Sequence, residues 1–322
     1  MKTIYWVMLT AMILIFGSNY TVLKIALKYS DPFVFAFLRT AIGSVLTIPL
    51  SIYALTNMRK RDEAKGEVKV AVPKDRKTFL YIFLFGITSS TFFFGFWYSG
   101  EIFVSASVTS VLINTNPLFV VIAAYFLLKE KVSRLQILGL AFGFAGALLV
   151  ASNGSLSQLS GNMRGYTLLF LSAASYGGSI VVYKKYLTAF EPITVNMMQL
   201  FFAALGLLAW IAVSNPEAFV SAHYNSTYLI ALLYTTIFGT VIANLIFMAL
   251  VRERGPTWFS MWLFLNPVAA VAISSIVLGQ TLTIVQIVGM LLVVFSIYEI
   301  NKALRITNAL KQSSGDFARE LQ

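Results

Sequence analysis

The sequence predicts an all-α polytopic membrane protein of ten transmembrane helices, arranged as two inverted five-helix repeats. Three observations carry that expectation: charge is scarce and confined to short clusters, basic residues gather on alternate loops, and the two halves match at fixed offsets.

Of 322 residues, 58% are hydrophobic and only 11% charged. Soluble domains carry about a quarter charged residues, so water is a poor solvent for most of this chain. Ten apolar runs can be drawn, at 4–27, 33–55, 78–99, 103–127, 135–151, 165–187, 192–213, 227–249, 256–278 and 284–301. A helix of about 20 residues crosses a hydrocarbon core of about 30 Å, and only the fifth and tenth runs fall short. The first run begins beside Met1 but exceeds the apolar stretch of a signal peptide and lacks a small-x-small exit, so it reads as a retained helix.

Orientation follows from the basic residues. Most of the 24 Lys and Arg fall at Lys2, in the loop 56–77, and at Lys129 to Arg134, Lys184-Lys185, Arg252 to Arg254 and the tail. Those segments share one side if the spans alternate, which predicts both termini in the cytoplasm of a plasma or inner membrane. The net charge of +11 is therefore a topology signal, and no nucleic-acid partner is expected. With no cysteine and a single histidine, His223, disulfides and thiolate metal sites are excluded and no cofactor is expected.

The halves repeat. At an offset of 160, Gly17 pairs with Gly177, Lys24 with Lys184, and Asp31-Pro32 with Glu191-Pro192. At an offset of 150, Asn116-Pro117 pairs with Asn266-Pro267, Gln136 with Gln286, and Gly139 with Gly289. The expected units are residues 1–151, 152–302 and a cytoplasmic tail 303–322. Five spans per unit make the second copy enter the membrane in the opposite sense. Inverted repeats place solute sites near the midplane, beside broken helices. Pro117 and Pro267 are the expected helix breaks, since each removes a backbone donor.

Neutral polar residues at that depth are the candidate substrate-binding set: Ser18, Asn19, Ser90, Asn114, Asn116, Tyr176, Ser179, Asn244 and Asn266, with Trp262 as an aromatic wall. Inside a bilayer such groups need partners or a wet cavity. Trp97 and Trp258 lie near span ends and read as interfacial belt residues. Lys24 and Arg39 lie in the outer halves of their spans; snorkelling to headgroups is the simpler reading, and receipt of a carboxylate or phosphate is the other. Gly139, Gly143 and Gly146 form a small-residue packing face. No Asp or Glu falls mid-span, which disfavours proton coupling through a buried carboxylate; sodium coupling and facilitated diffusion stay open.

These residues resemble the EamA-type branch of the drug/metabolite transporter superfamily. The resemblance rests on Phe16 to Tyr20 with Lys24, Asp31-Pro32 to Arg39, Asn116-Pro117 through Glu130 to Gly139, and Asn266-Pro267, Gly279, Gln286 and Gly289. It implies ten helices, a central cavity lined by both halves, and export of amino acids or other small metabolites. Gln280 stands where that family usually has glutamate, and Phe16 where tryptophan is frequent. The expected partners are a small-molecule solute and the lipid bilayer; oligomeric state is left open. The expected function is an alternating-access exporter, with a channel, a receptor or an intramembrane enzyme as alternatives.

Overall fold

In a computed structural model of the chain, residues 3–65, 73, 75–104, 109, 112–152, 162–220, 222–278, 283–299 and 302 are described. The expected tail 303–322, Gln280 and most of the loop after Lys65 lie outside them, as does the side chain of Lys24. The described residues are predominantly helical. The helices are α1 (Thr3–Ala26), α2 (Pro32–Lys65), α3 (Arg76–Glu101), α4 (Asn116–Leu128, preceded by helical residues at 112–113) and α5 (Arg134–Ser152). They continue as α6 (Met163–Leu187), α7 (Pro192–Ser214), α8 (Ser226–Arg254), α9 in two arms (Pro256–Trp262 and Leu265–Leu278) and α10 (Ile284–Glu299).

Among the described residues seven stretches are long and apolar enough to cross a membrane, and three shorter apolar helices accompany them. The short ones are α4, α5 and α10. Helix α2 runs on to Lys65, so the first part of the expected loop 56–77 is helical. Large apolar side chains such as Val45, Ile52, Phe126, Leu291 and Tyr298 are exposed on the outside of the bundle, as a lipid-facing surface requires.

Helix starts are set by local side-chain chemistry. Orphan N–H groups at a helix N-terminus need acceptors, and here the acceptors recur at the offsets of the sequence repeat. Asp31 accepts from Phe33 N at 2.8 Å, and Glu191 accepts from Thr194 N at 2.8 Å. Asp75 caps α3 through Thr78 N, and Asn225 caps α8 through Tyr228 N. Ser133 with Gln136, and Thr283 with Gln286, form reciprocal capping boxes at the starts of α5 and α10.

Packing repeats in the same way. Helix α1 packs on the second arm of α9, and α6 packs on α4; α2 pairs with α7 across the middle of the bundle. A Cβ on Gly17 would meet Ala269 Cβ at 2.8 Å, and one on Gly177 would meet Phe119 Cβ at 2.8 Å. Both glycines therefore admit the same close helix crossing. The expected small-residue face on α5 is in contact with α10, where a Cβ on Gly146 would lie 2.7 Å from Gly289 O.

Three segments depart from regular α-helix by one π turn: Ile87–Phe92 in α3, Tyr183–Leu187 in α6 and Ile237–Ile242 in α8. The first and third are equivalent positions at the offset of 150. Single π turns are uncommon and favour functional sites.

Gly177 and Gly178 separate close packing from propensity. Gly177→Ala drives its Cβ into Phe119 and Val120, whereas a Cβ on Gly178 meets nothing within 4 Å. We expect Gly177→Ala to destabilise by about 1–3 kcal/mol, as overpacking does, and Gly178→Ala to stay within about 0.5 kcal/mol of the parent. Thermal unfolding of the purified variants in detergent measures both; equal melting temperatures would remove the α6–α4 crossing as a packing constraint.

Candidate functional site: a central polar cavity

The helix breaks and the π turns of α3 and α8 gather around one cavity. It holds about 920 Å³ of empty space, its opening to solvent included. Its floor comes from the breaks. Pro117 and Pro267 have no amide N–H to give to the carbonyls four residues earlier, those of Ile113 and Leu263. The chain answers with a tight turn at 114–115 and another at 263–264, then restarts helically with each proline in the first turn. There a missing N–H does no harm. Ile113 and Leu263 both line the cavity, beside Asn114, Asn116 and Asn266.

Side walls come from α1 and α8 on one flank and α3 and α6 on the other. Asn19 on α1 lies against the π turn of α8, where a Cβ on Gly239 would meet Asn19 Oδ1 at 2.6 Å. Thr240 in that turn donates to Thr235 O at 3.1 Å, a bond that spans five residues. Ser89 and Ser90 occupy the equivalent π turn of α3, and Tyr176 on α6 stands opposite with Phe93 at a ring distance of 4.9 Å. Asn244 donates to Asn196 Oδ1 at 3.2 Å, Gln199 donates to the same oxygen at 3.1 Å, and Ser89 donates to Gln199 Oε1 at 3.2 Å. This chain ties the π turn of α3, and the helical turn that follows the π turn of α8, to α7. The Oδ1 atoms of Asn19, Asn116 and Asn266 are buried with no hydrogen-bond partner among the described residues.

Of the expected site residues, Asn19, Ser90, Asn114, Asn116, Tyr176, Asn244 and Asn266 line this cavity. Three do not. Ser18 turns to α8, its Oγ 2.7 Å from the hydroxyl of Tyr234. Ser179 is buried and donates to Tyr176 O. Trp262 packs edge-to-face on Trp6 at 5.4 Å, inside an apolar cluster with Leu9, Met12, Phe85, Tyr183, Phe247 and Phe259. That cluster joins the starts of α1, α3 and α9 to the ends of α6 and α8 on one side of the bundle.

Two readings of the sequence need correction. Trp97 is not a belt residue; it lines the cavity with Phe16, Phe93 and Phe94. Arg39 does not snorkel, being only 5% exposed. Its Nε donates to Thr240 Oγ1 at 2.9 Å and its guanidinium carbon lies 5.4 Å from the Phe94 ring centre. A signal for Arg39 was present in α2: Thr40, Ser44, Thr47 and Ser51 recur at helical spacing and are buried, whereas Val45 and Ile52 face outward.

Fold and cavity together define a multi-pass α-helical membrane transporter, in which a polar-dotted chamber lies among broken helices. A model of the EamA-like transporter family matches residues 1–152 and again 163–302. The chain belongs to that family. It is 25% identical to the uncharacterized transporter YvbV of Bacillus subtilis, over 93% of this chain and 92% of that one. It is 27% identical to the WAT1-related protein At3g02690, chloroplastic, of Arabidopsis thaliana, over 92% of this chain and 69% of that one. A solved crystal structure shares the fold with a TM-score of 0.75, at 15% identity and covering 95% of this chain and 99% of the other.

The contact between Gly239 and Asn19 is testable. We expect Gly239→Ala to push the Asn19 carboxamide out of the wall and to lower solute flux about tenfold, because small misplacements at a site are amplified. Folded yield and melting temperature should change little. Flux equal to the parent, measured in proteoliposomes, would show that Asn19 placement is unimportant.

Proposed function

We propose that the protein is an alternating-access exporter of a small organic solute, such as an amino acid or related metabolite. Ten spans cross the plasma or inner membrane in two oppositely oriented units, residues 1–151 and 152–302. Both termini and the tail 303–322 are cytoplasmic. The cavity is the solute site, and Asn19, Ser90, Asn114, Asn116, Tyr176, Asn244 and Asn266 bind there.

The observation that supports this reading best is the recurrence of irregular elements at one offset. The π turns at 87–92 and 237–242, the proline restarts at Asn116-Pro117 and Asn266-Pro267, and the capping boxes at Ser133 and Thr283 are all 150 residues apart. Duplicated units of opposite sense can exchange conformations, giving two states of similar energy that open to opposite sides. With the N-terminus inside, the Trp262 cluster plugs the cytoplasmic side and the cavity belongs to an outward-facing state. A packed plug also argues against a continuous pore.

Two measurements test this. In proteoliposomes, uptake of a labelled metabolite should saturate and should be accelerated by the same unlabelled metabolite trapped inside; flux that rises without limit would mean conduction rather than a carrier cycle. Reporter fusions after residues 68 and 221 should read cytoplasmic and external respectively, and the same side for both would end the ten-span topology.

A further inference from the structure

We propose that Arg39 is the charged anchor of this cavity. The transported solute is then a small organic acid whose carboxylate or phosphate pairs with the guanidinium, while the lining asparagines Asn19, Asn116 and Asn266 meet polar groups elsewhere on it. The inference rests on the transport reading of the cavity.

Arg39 is a permanently charged group at membrane depth, and a buried cation demands a counter-charge. None of the residues that line the cavity is an Asp or Glu. Its Nε is engaged with Thr240, and the Phe94 ring lies under its guanidinium carbon. The four terminal N–H groups have no hydrogen-bond partner among the described residues. Those groups form a rigid planar fork suited to two oxygens of one carboxylate or phosphate. The Nε bond and the ring hold that fork in place before a solute arrives.

The other half of the molecule offers a control. Gln199 is the equivalent of Arg39 at the offset of 160, and it is just as buried. It accepts from Ser89 and donates to Asn196, so its polar needs are met inside the protein. A side chain there for structure alone is neutral and closed off by neighbours. Arg39 is charged and left open toward the chamber. Asn19, Asn116 and Asn266 line the same chamber, together with the aromatic rings of Phe16, Phe93 and Trp97. An acid with an apolar body and a donor group satisfies all of these at once.

The test uses the purified full-length protein and matched probes: L-phenylalanine against L-phenylalaninamide, phenyllactate against phenyllactamide, and phenyl phosphate. A ligand that binds the folded state raises the melting temperature. We expect at least one acid to bind tenfold or more tightly than its uncharged-group partner, or phenyl phosphate to do so relative to both amides; which of them does so identifies the acidic group. Arg39→Gln should erase that preference, and Arg39→Lys should keep it in weakened form. Thr240→Val, which retains the charge but frees Nε, should lower acid affinity about tenfold and provides the test if Arg39→Gln does not fold. The proposal fails if no acid stabilises the protein, if acid and amide bind alike, or if Arg39→Gln retains the preference. Binding of the acid without any saturable flux would instead overturn the transport reading and leave the anchor standing.

Discussion

The structure depends on the rule that a bilayer leaves no polar group to be satisfied by lipid. Every place where this chain gives up regular α-helical bonding must find compensation in protein or in a wet cavity. The π turns of α3 and α8 and the restarts at Pro117 and Pro267 are such places, and they surround a single chamber. Two of the three π turns and both restarts therefore border the cavity, while the π turn at Tyr183–Leu187 is packed in protein through Tyr183 and Leu187. Elsewhere the bundle is helix against helix, with caps such as Asp31, Glu191 and Asn225 closing the helix starts.

The positions of the helices were legible because apolar runs and caps are both written locally. The asparagines beside the prolines were legible too, since a proline announces where a helix must be repaired. The π turns were not. Ile87–Phe92 and Ile237–Ile242 carry no residue signature, yet each extra residue rotates the following helix by about 100°. That rotation decides which face of α3 meets the cavity, and it brings Phe93, Phe94 and Trp97 to the wall. Depth along a span placed Trp97 and Arg39 near headgroups, while the helix face placed them inside. Trp262 illustrates the converse: its depth suggested the cavity, but the turn at 263–264 directs it to Trp6 and the plug.

The halves share a plan and differ in chemistry. Asn19 faces Gly239 in one half, whereas its equivalent Ser179 is bonded back to its own helix. Arg39 reaches Thr240, while Gln199 is enclosed by Ser89 and Asn196. The π turn at Tyr183–Leu187 in α6 has no counterpart in α1, which is α-helical through Ala26. A duplicated scaffold supplies two states of comparable energy, but a solute site built with full two-fold symmetry would hold an asymmetric molecule in two orientations.

Divergence between equivalent positions removes that ambiguity. One half presents charge and the carboxamide of Asn19; the other presents the ring of Tyr176 and a closed neutral network through Asn196. The symmetric features are caps, close crossings and helix breaks, and in the proposed cycle they govern how the bundle moves. The asymmetric features are side chains on the chamber wall, and in the proposed cycle they govern what it holds. Because a ligand shifts a conformational equilibrium only by its differential affinity for the two states, the asymmetric wall is also where solute binding would act on the proposed cycle. Thr240 joins the two sets: its hydroxyl donates within the π turn of α8 and accepts from Arg39, so a change at the guanidinium is felt directly by the irregular backbone that the repeat has duplicated.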